Sequence, residues 1–309
     1  APPRALWLGT GVHKALEHYY DPTIKKTDAP EAFRQWALAE VERIKNDFPG
    51  LDEERLQEFA DDIELGEGML QHYTLWAPKH DTWFTVIDVE EKVHVPNFVD
   101  DVPLEGRGDM LVQSNADGRY WVVEHKTARV IDTDRLILER QPGVYQYAMG
   151  LKHETDIAGV EFNFLRKKLP SVPKLLKSGD AVSKQQVDTT YEVYRDALVE
   201  YKLDPGPYQE TLDTLKEVGN TFFHRESVVR SQTELDRLMG WLKIIGKEML
   251  SDPEIYPSPD MMKDRMCPFL GPCIALHDGS DYKFMLKQRY QVRRKESVGN
   301  EVQSPDNVL

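Results

Sequence analysis

Gly106-Arg107-Gly108-Asp109, running on through Met110-Leu111-Val112, and Tyr120-Trp121-Val122-Val123-Glu124-His125-Lys126-Thr127 are the stretches whose pairing decides the fold. Asp117-Gly118 between them is a hairpin-turn signal, and both flanks are rich in β-branched and aromatic residues. Successive side chains of a strand point to opposite faces, so Glu124 and Lys126 project together while His125 points away. The hairpin therefore brings Asp109 beside Glu124 and Lys126. Two carboxylates and one ammonium on one face can hold a divalent metal and position a water beside it. The same triplet on a solvated hairpin is a surface ion pair, and alone it does not choose between the two.

Outward from the hairpin, the chain reads as strand on both sides and helix beyond. Trp83 to Val89 and Lys92 to Val95 are β-rich, broken at Glu90-Glu91 and ended by Pro96-Asn97. After the hairpin, 142–152 predicts a helix with Pro142 in its first turn and Gln141 just before it. Ile157 to Leu165 returns to strand and runs into a basic stretch. Helices over 190–203, 207–217 and 233–250 and a strand over 221–230 complete this region. Upstream, helical periodicity marks 31–47 (Ala32, Trp36, Ala39) and 52–77 (Leu56, Phe59, Ile63, Met69-Leu70), separated by Pro49-Gly50. Leu8 to His13 reads as the start of a helix, with Thr10 as N-cap and His13, Glu17 and Tyr20 on one face. A lone histidine there is ordinarily structural. The order predicts an α/β protein, a mixed central sheet flanked by helices with a helical N-terminal region. The expected organisation is one domain over 1–295, with a helical region at 1–80, a sheet core at 81–170 and a mixed α/β region at 171–295. A disordered tail is expected over 296–309.

Composition bounds the function. The 309 residues, 40% of them hydrophobic, suffice for a real core. No run approaches the ~18–20 apolar residues of a membrane span, and no signal segment opens the chain, so no membrane partner is expected. Two cysteines, Cys267 and Cys273, argue for a reducing, cytoplasmic setting. The chain opens at Ala1 without an initiator methionine, as a trimmed piece of a longer protein would. The net charge of −14 counts against nucleic acid, but the charge is segregated. Residues 28–67 are acidic, whereas 166–184 carries Arg166, Lys167, Lys168, Lys174, Lys177 and Lys184, and 283–295 carries Lys283, Lys287, Arg289, Arg293, Arg294 and Lys295. Either basic stretch can meet a phosphate backbone locally, or be a solvated face.

Four pieces stand in fixed order: Gly9-Thr10-x-x-His13, Gly106-x-x-Asp109, Glu124-x-Lys126 and Gln141-x-x-x-Tyr145. Each alone is weak, but in this order they closely resemble the PD-(D/E)XK nuclease superfamily, in its RecB-like exonuclease branch of phage and CRISPR-associated enzymes. By motif the resemblance covers about residues 8–150, and Phe222-Phe223-His224-Arg225 and Cys267-Pro268-Phe269 look like the branch's C-terminal region. It implies a restriction-endonuclease-like core and a catalytic set of Asp109, Glu124 and Lys126. His13, Asp109, Glu124 and the backbone carbonyl of His125 would ligate Mg²⁺ or Mn²⁺, the imidazole favouring Mn²⁺. Lys126 would orient the attacking water or stabilise charge on the phosphate. Gln141 and Tyr145, one helical turn apart, would support the site and contact DNA, with Arg166, Lys167 and Lys168 further DNA-binding candidates. Glu90 or Glu91 could be a further acidic ligand, and the sequence does not choose between them.

One piece of the pattern is missing. Many members of the branch hold an iron–sulfur cluster on four cysteines, one upstream of the Gly-Thr-x-x-His helix and three near the C-terminus. Here Cys267-x5-Cys273 matches the last two, and Asp264 stands where the preceding cysteine belongs. Four ligands cannot be counted, so the cluster is not supported. His277 makes a Cys-x5-Cys-x3-His set equally short of a zinc site, and plain packing is the expected role.

The expected activity is a metal-dependent DNA exonuclease acting on single- or double-stranded ends in recombination, repair or processing, with a partner protein or an oligomer allowed. A CRISPR-type protospacer-processing nuclease shares the chemistry and differs in partners. A non-catalytic DNA-end-binding domain on a nuclease fold would bind DNA without regard to Mg²⁺ or Mn²⁺.

Overall fold

The computed structural model describes residues 4–24, 28–48, 50–183, 187–251 and 267–290. Chain contacts divide it into two compact units, residues 1–251 and 252–309. The division falls inside the mixed α/β region, 171–295, expected from sequence.

The first unit opens with three helices, α1 (Arg4–Tyr20), α2 (Ala29–Asp47) and α3 (Glu53–His80). It continues as β1 (Phe84–Val99), β2 (Val102–Ser114), β3 (Tyr120–Ala128), α4 (Arg140–Lys152) and β4 (Ile157–Arg166), then α5 (Tyr191–Glu200), α6 (Gln209–Val218), β5 (Phe223–Val228) and α7 (Gln232–Leu250). The five strands form one sheet in the order β1-β2-β3-β4-β5. All neighbours are antiparallel except β3 and β4, which are parallel and joined by the crossover helix α4. The mixed sheet flanked by helices, with a helical N-terminal region, is thus the architecture of the chain.

Alternation along the strands splits the core into two layers. Met110, Val112, Val123 and Leu165 pack on one face with Val12, Leu16, Phe33, Phe59 and Tyr73 of α1–α3. Leu111, Val122, Val160 and Phe162 pack on the other with Tyr145, Ala148 and Met149 of α4. Burying such side chains contributes about 1.5–3 kcal/mol apiece relative to leaving them in water. The Asp117-Gly118 turn stands where the sequence places it, with Gly118 at φ +72°.

Two local expectations are corrected. Thr10 does not cap a helix, because α1 begins at Arg4 and the Thr10 hydroxyl donates to the Leu6 carbonyl at 2.9 Å from inside it. The neighbouring Gly11 is a packing position: a Cβ there would lie 2.3 Å from the Trp36 ring and 2.6 Å from Phe33. Nor do Glu90-Glu91 and Pro96-Asn97 divide a strand, since β1 is continuous through both. Glu90 (φ 52°) and Asn97 (φ 51°) adopt left-handed backbone, and the β1–β2 register shifts between Val86 and Asp88 and between Val95 and Val99. Irregular residues absorbed in this way let one strand bend without ending.

Among the described residues no helix is long and apolar enough to cross a membrane. In the second unit, α8 (Leu270–Asp278) and α9 (Tyr282–Arg289) form a helical pair in which Phe269 stacks on Tyr290, ring centroids 4.9 Å apart. Cys273 and His277 lie in α8, and Cys267 just precedes it. Both cysteines are free. Asp264, Lys184, Arg293, Arg294, Lys295 and the tail 296–309 lie outside the described residues.

Candidate active site

The site is a fork in the sheet. The β2–β3 ladder runs from Gln113 opposite Tyr120 to Met110 opposite Val123, and no further. Beyond that point β2 stays paired with β1, and β3 with β4 as far as Ala128 opposite Arg166. Asp109 and Glu124 are the first residues past the last rung. The His125 N–H, left without a strand partner there, donates to Asp109 Oδ2 at 2.7 Å. A carboxylate thus takes the place of a ladder carbonyl. Glu124 lies two residues from Val122 and so projects on the α4 face, and Asp109 meets it across the fork, close enough for its charge to raise Glu124. Lys126 joins them there, with Nζ 3.1 Å from Glu124 Oε1.

The histidine arrives from the opposite layer. His13, near the middle of α1, places Nδ1 3.3 Å from Asp109 Oδ1. Burial alone would hold the His13 imidazole neutral, but its bond to Asp109 and the nearby charges of Asp109, Glu124 and Glu90 raise its pKa. For Asp109, burial pushes upward and the His13 bond and charge outweigh it, leaving the carboxyl below its ordinary value. Glu124 goes the other way: burial first, and then the neighbouring Asp109 charge, push it up to about 7, with Lys126 opposing. Two close acids of opposite shift are what a shared, desolvated site produces. Glu124 Oε2 is buried and has no hydrogen-bond partner.

The crossover helix covers this cluster. Gln141 Nε2 donates to the Tyr145 hydroxyl at 2.6 Å. Tyr145 can lie against β2 because residue 106 is glycine, where a Cβ would meet the Tyr145 ring at 2.8 Å. Hence the four sequence motifs converge: His13, Asp109, Glu124, Lys126 and the Gln141–Tyr145 pair lie around one fork.

Other candidates are placed elsewhere. Glu90 is on the site side, 3.2 Å from Arg107 and close enough to raise His13. Glu91 is buried away from it, between His153 Nε2 at 2.6 Å and Lys152 Nζ at 2.8 Å. Arg166 and Lys168 share Asp188, at 2.8 and 2.7 Å, so some of the basic stretch is already neutralised. The Lys167 backbone N–H donates to the Ala128 carbonyl at 2.7 Å, and burial depresses its ammonium pKa. Among the described residues no group of three or more His, Cys, Asp or Glu side chains stands in a geometry that could hold a metal ion, Cys267, Cys273 and His277 included.

Behind the fork lies a buried polar chain that the motifs do not announce. The His125 ring is fully enclosed, stacked on Tyr20 with centroids 5.8 Å apart, and burial depresses its pKa to about 3. Asn163 Nδ2 donates to His125 Nδ1 and to the Tyr73 hydroxyl, both at 2.8 Å. The Tyr73 and Tyr20 hydroxyls are 2.6 Å apart, and Tyr20 donates to Asp81 Oδ2 at 2.7 Å. Arg225 Nη2 closes the chain on Asp81 Oδ1 at 2.5 Å and on both tyrosines. The one sequence signal was Asn163, a polar residue inside the apolar strand Ile157 to Leu165. A cavity of about 880 Å³ lined by Gln146, Gly150, Glu154, Arg230 and Leu235 includes none of the cluster.

Comparison with known proteins bears on this geometry. A family model described as the PD-(D/E)XK nuclease superfamily matches residues 1–273. No curated protein matches the chain. A crystal structure from Eubacterium rectale described as a "Putative exonuclease" is similar at 9% identity, covering 87% of this chain and 81% of that one, with a TM-score of 0.39. A likeness at that level supports no further conclusion.

Proposed function

The chain belongs to the PD-(D/E)XK nuclease superfamily, and from that premise we propose that it is a divalent-metal-dependent DNA exonuclease of the RecB-like kind, hydrolysing phosphodiester bonds from DNA ends. The observation that carries the proposal is the fork, where Asp109 and Glu124 meet, with His13 bonded to the first and Lys126 to the second. Members of the superfamily generally use divalent metals such as Mg²⁺.

The donor types at the fork suit such an ion, although the His13, Asp109 and Glu124 side chains do not stand preset around one. Glu124 Oε2 is buried without a partner, and Glu124 is held up to about 7 by burial and by Asp109. A cation held by these carboxylates would remove both penalties. His13, Asp109, Glu124 and the His125 carbonyl would hold it. When bound, a divalent ion supplies an activated water and neutralises charge on the scissile phosphate. Lys126 then orients that water or stabilises the phosphate as a compact point charge. Gln141 and Tyr145 brace the α4 side and contact the strand being cut. Glu90 is the further acid we favour, since Glu91 is engaged by His153 and Lys152. Work in recombination, repair or DNA processing, in the cytoplasm of a bacterial or phage-infected cell and with a partner or as an oligomer, belongs to the same proposal.

The test is degradation of end-labelled single- and double-stranded DNA with and without Mn²⁺, by the wild type and Glu124→Ala. Loss of label from ends, dependent on Mn²⁺ and absent in Glu124→Ala, is expected. Cutting of closed circular DNA as fast as linear DNA would sink the exonuclease assignment. Metal-indifferent binding without products would favour a non-catalytic end-binding domain. A CRISPR-type processing enzyme is the second reading, disfavoured because Asp264 stands where one of its cysteines belongs, and iron–sulfur absorbance would restore it.

A further inference from the structure

We propose that Tyr20, Tyr73 and Asn163, anchored by the Asp81–Arg225 ion pair, are positioning residues that hold His125, and through its peptide the Asp109–Glu124 fork, in the arrangement that receives the metal. The inference rests on reading the fork as a metal-dependent nuclease site.

His125 has two ends. Its backbone N–H grips Asp109 Oδ2, and its peptide links Glu124 to Lys126, which flank it on the opposite sheet face. Its ring is fixed on the other face by the Tyr20 stack and the Asn163 bond. With the ring held, the position of the His125 backbone is held too, and with it the N–H that Asp109 accepts. The partners come from α1 (Tyr20), α3 (Tyr73), β4 (Asn163) and β5 (Arg225), with Asp81 just past α3, so the chain ties β3 through β4 to β5 and to two helices of the opposite layer. Tyr20 lies seven residues after His13, two turns along α1, so the same bonds set the rotation of the helix that delivers His13.

The chain is an expensive way to obtain stability alone. Arg225 Nε and Nη1 and Asn163 Oδ1 are buried without hydrogen-bond partners, and the Asp81–Arg225 pair is largely withdrawn from water. Buried ion pairs are often replaceable by apolar side chains of similar volume with no loss of stability. An apolar plug would fill this space but could not orient an imidazole. Residues that orient metal ligands through hydrogen bonds typically change metal affinity or activity by about 10–100-fold when removed.

Tyr73→Phe and Asn163→Leu keep volume and remove the bonds. Mn²⁺ binding is measured by isothermal titration, alongside kcat and KM for linear DNA, at a temperature where each variant shows a wild-type circular dichroism spectrum. Both variants are expected to bind Mn²⁺ about 10-fold or more weakly, with kcat reduced and KM for DNA unchanged. Ser227→Ala, which removes a different polar contact of the sheet, to Glu161, is the control expected to change neither. Wild-type Mn²⁺ affinity in both variants, or an equal loss in Ser227→Ala, overturns the inference while leaving the nuclease reading intact. Absence of Glu124-dependent Mn²⁺ binding in the wild type overturns both.

Discussion

The Asp109 carboxylate accepts the His125 backbone N–H at 2.7 Å, across the point where β2 and β3 separate. One side chain thereby terminates a strand ladder and places a second acid, Glu124, against itself. The same carboxylate reaches His13 with its other oxygen, at 3.3 Å.

Removing any one charged group of the fork should abolish hydrolysis without unfolding the protein. Asp109→Ala, Glu124→Ala and Lys126→Ala are each expected to lower kcat by about 10²–10³-fold or more, the loss typical of a group stabilising developing charge. Unchanged activity in purified Lys126→Ala refutes the mechanism. Lys126→Arg should not restore the rate, because a planar fork cannot replace a compact ammonium.

Metal-free protein should lose stability as pH rises through neutrality. Glu124 has its folded pKa raised from 4.5 to about 7, so folding retains a proton that the unfolded chain releases. The stability this contributes is present below pH 4.5 and lost as pH climbs through about 7. His13, also raised, acts in the same direction above its ordinary 6.5. The thermal midpoint should therefore fall between about pH 5 and 7.5, an interval set by the Glu124 shift. The fall should be shallower in Glu124→Gln and in saturating Mn²⁺. An identical slope in Glu124→Gln contradicts the assignment.

Tyr145→Phe deletes the acceptor of the Gln141 amide while keeping the ring against Gly106. With one hydrogen bond worth about 1 kcal/mol, kcat/KM should fall by roughly 5-fold and the melting temperature should barely move. A loss as large as that of Glu124→Ala would place Tyr145 in the chemistry itself.

Gly11→Ala tests packing rather than chemistry. Its Cβ would stand 2.3 Å from the Trp36 ring, so α1 or α2 must shift. A destabilisation of about 1–3 kcal/mol is expected in urea titration, the usual cost of overpacking a core. Since α1 carries His13, Mn²⁺ affinity should fall with it.

Much of this protein was legible along the chain because its signals are local. Alternation in Met110-Leu111-Val112, the Asp117-Gly118 turn and Pro142 at the start of α4 act within a few residues, and the hairpin and crossover helix stand where they predict. Punctuation was less reliable. Thr10 looked like a cap and lies inside α1, and Glu90-Glu91 looked like a stop and is a bend in a continuous strand. In both cases long-range packing overrode a local preference.

The sequence by itself determined the order of the four motifs and that Glu124 and Lys126 share a face, because side-chain direction in a strand depends only on parity. Only the tertiary structure decided that β2 and β3 separate after Met110 and Val123, that Glu90 and not Glu91 looks toward His13, and that Asn163 reaches His125. These depend on residues 38 to 96 positions apart, such as Asn163 with His125 and His13 with Asp109, and such distances close only when helices α1, α3 and α4 are pressed onto the two faces of one sheet.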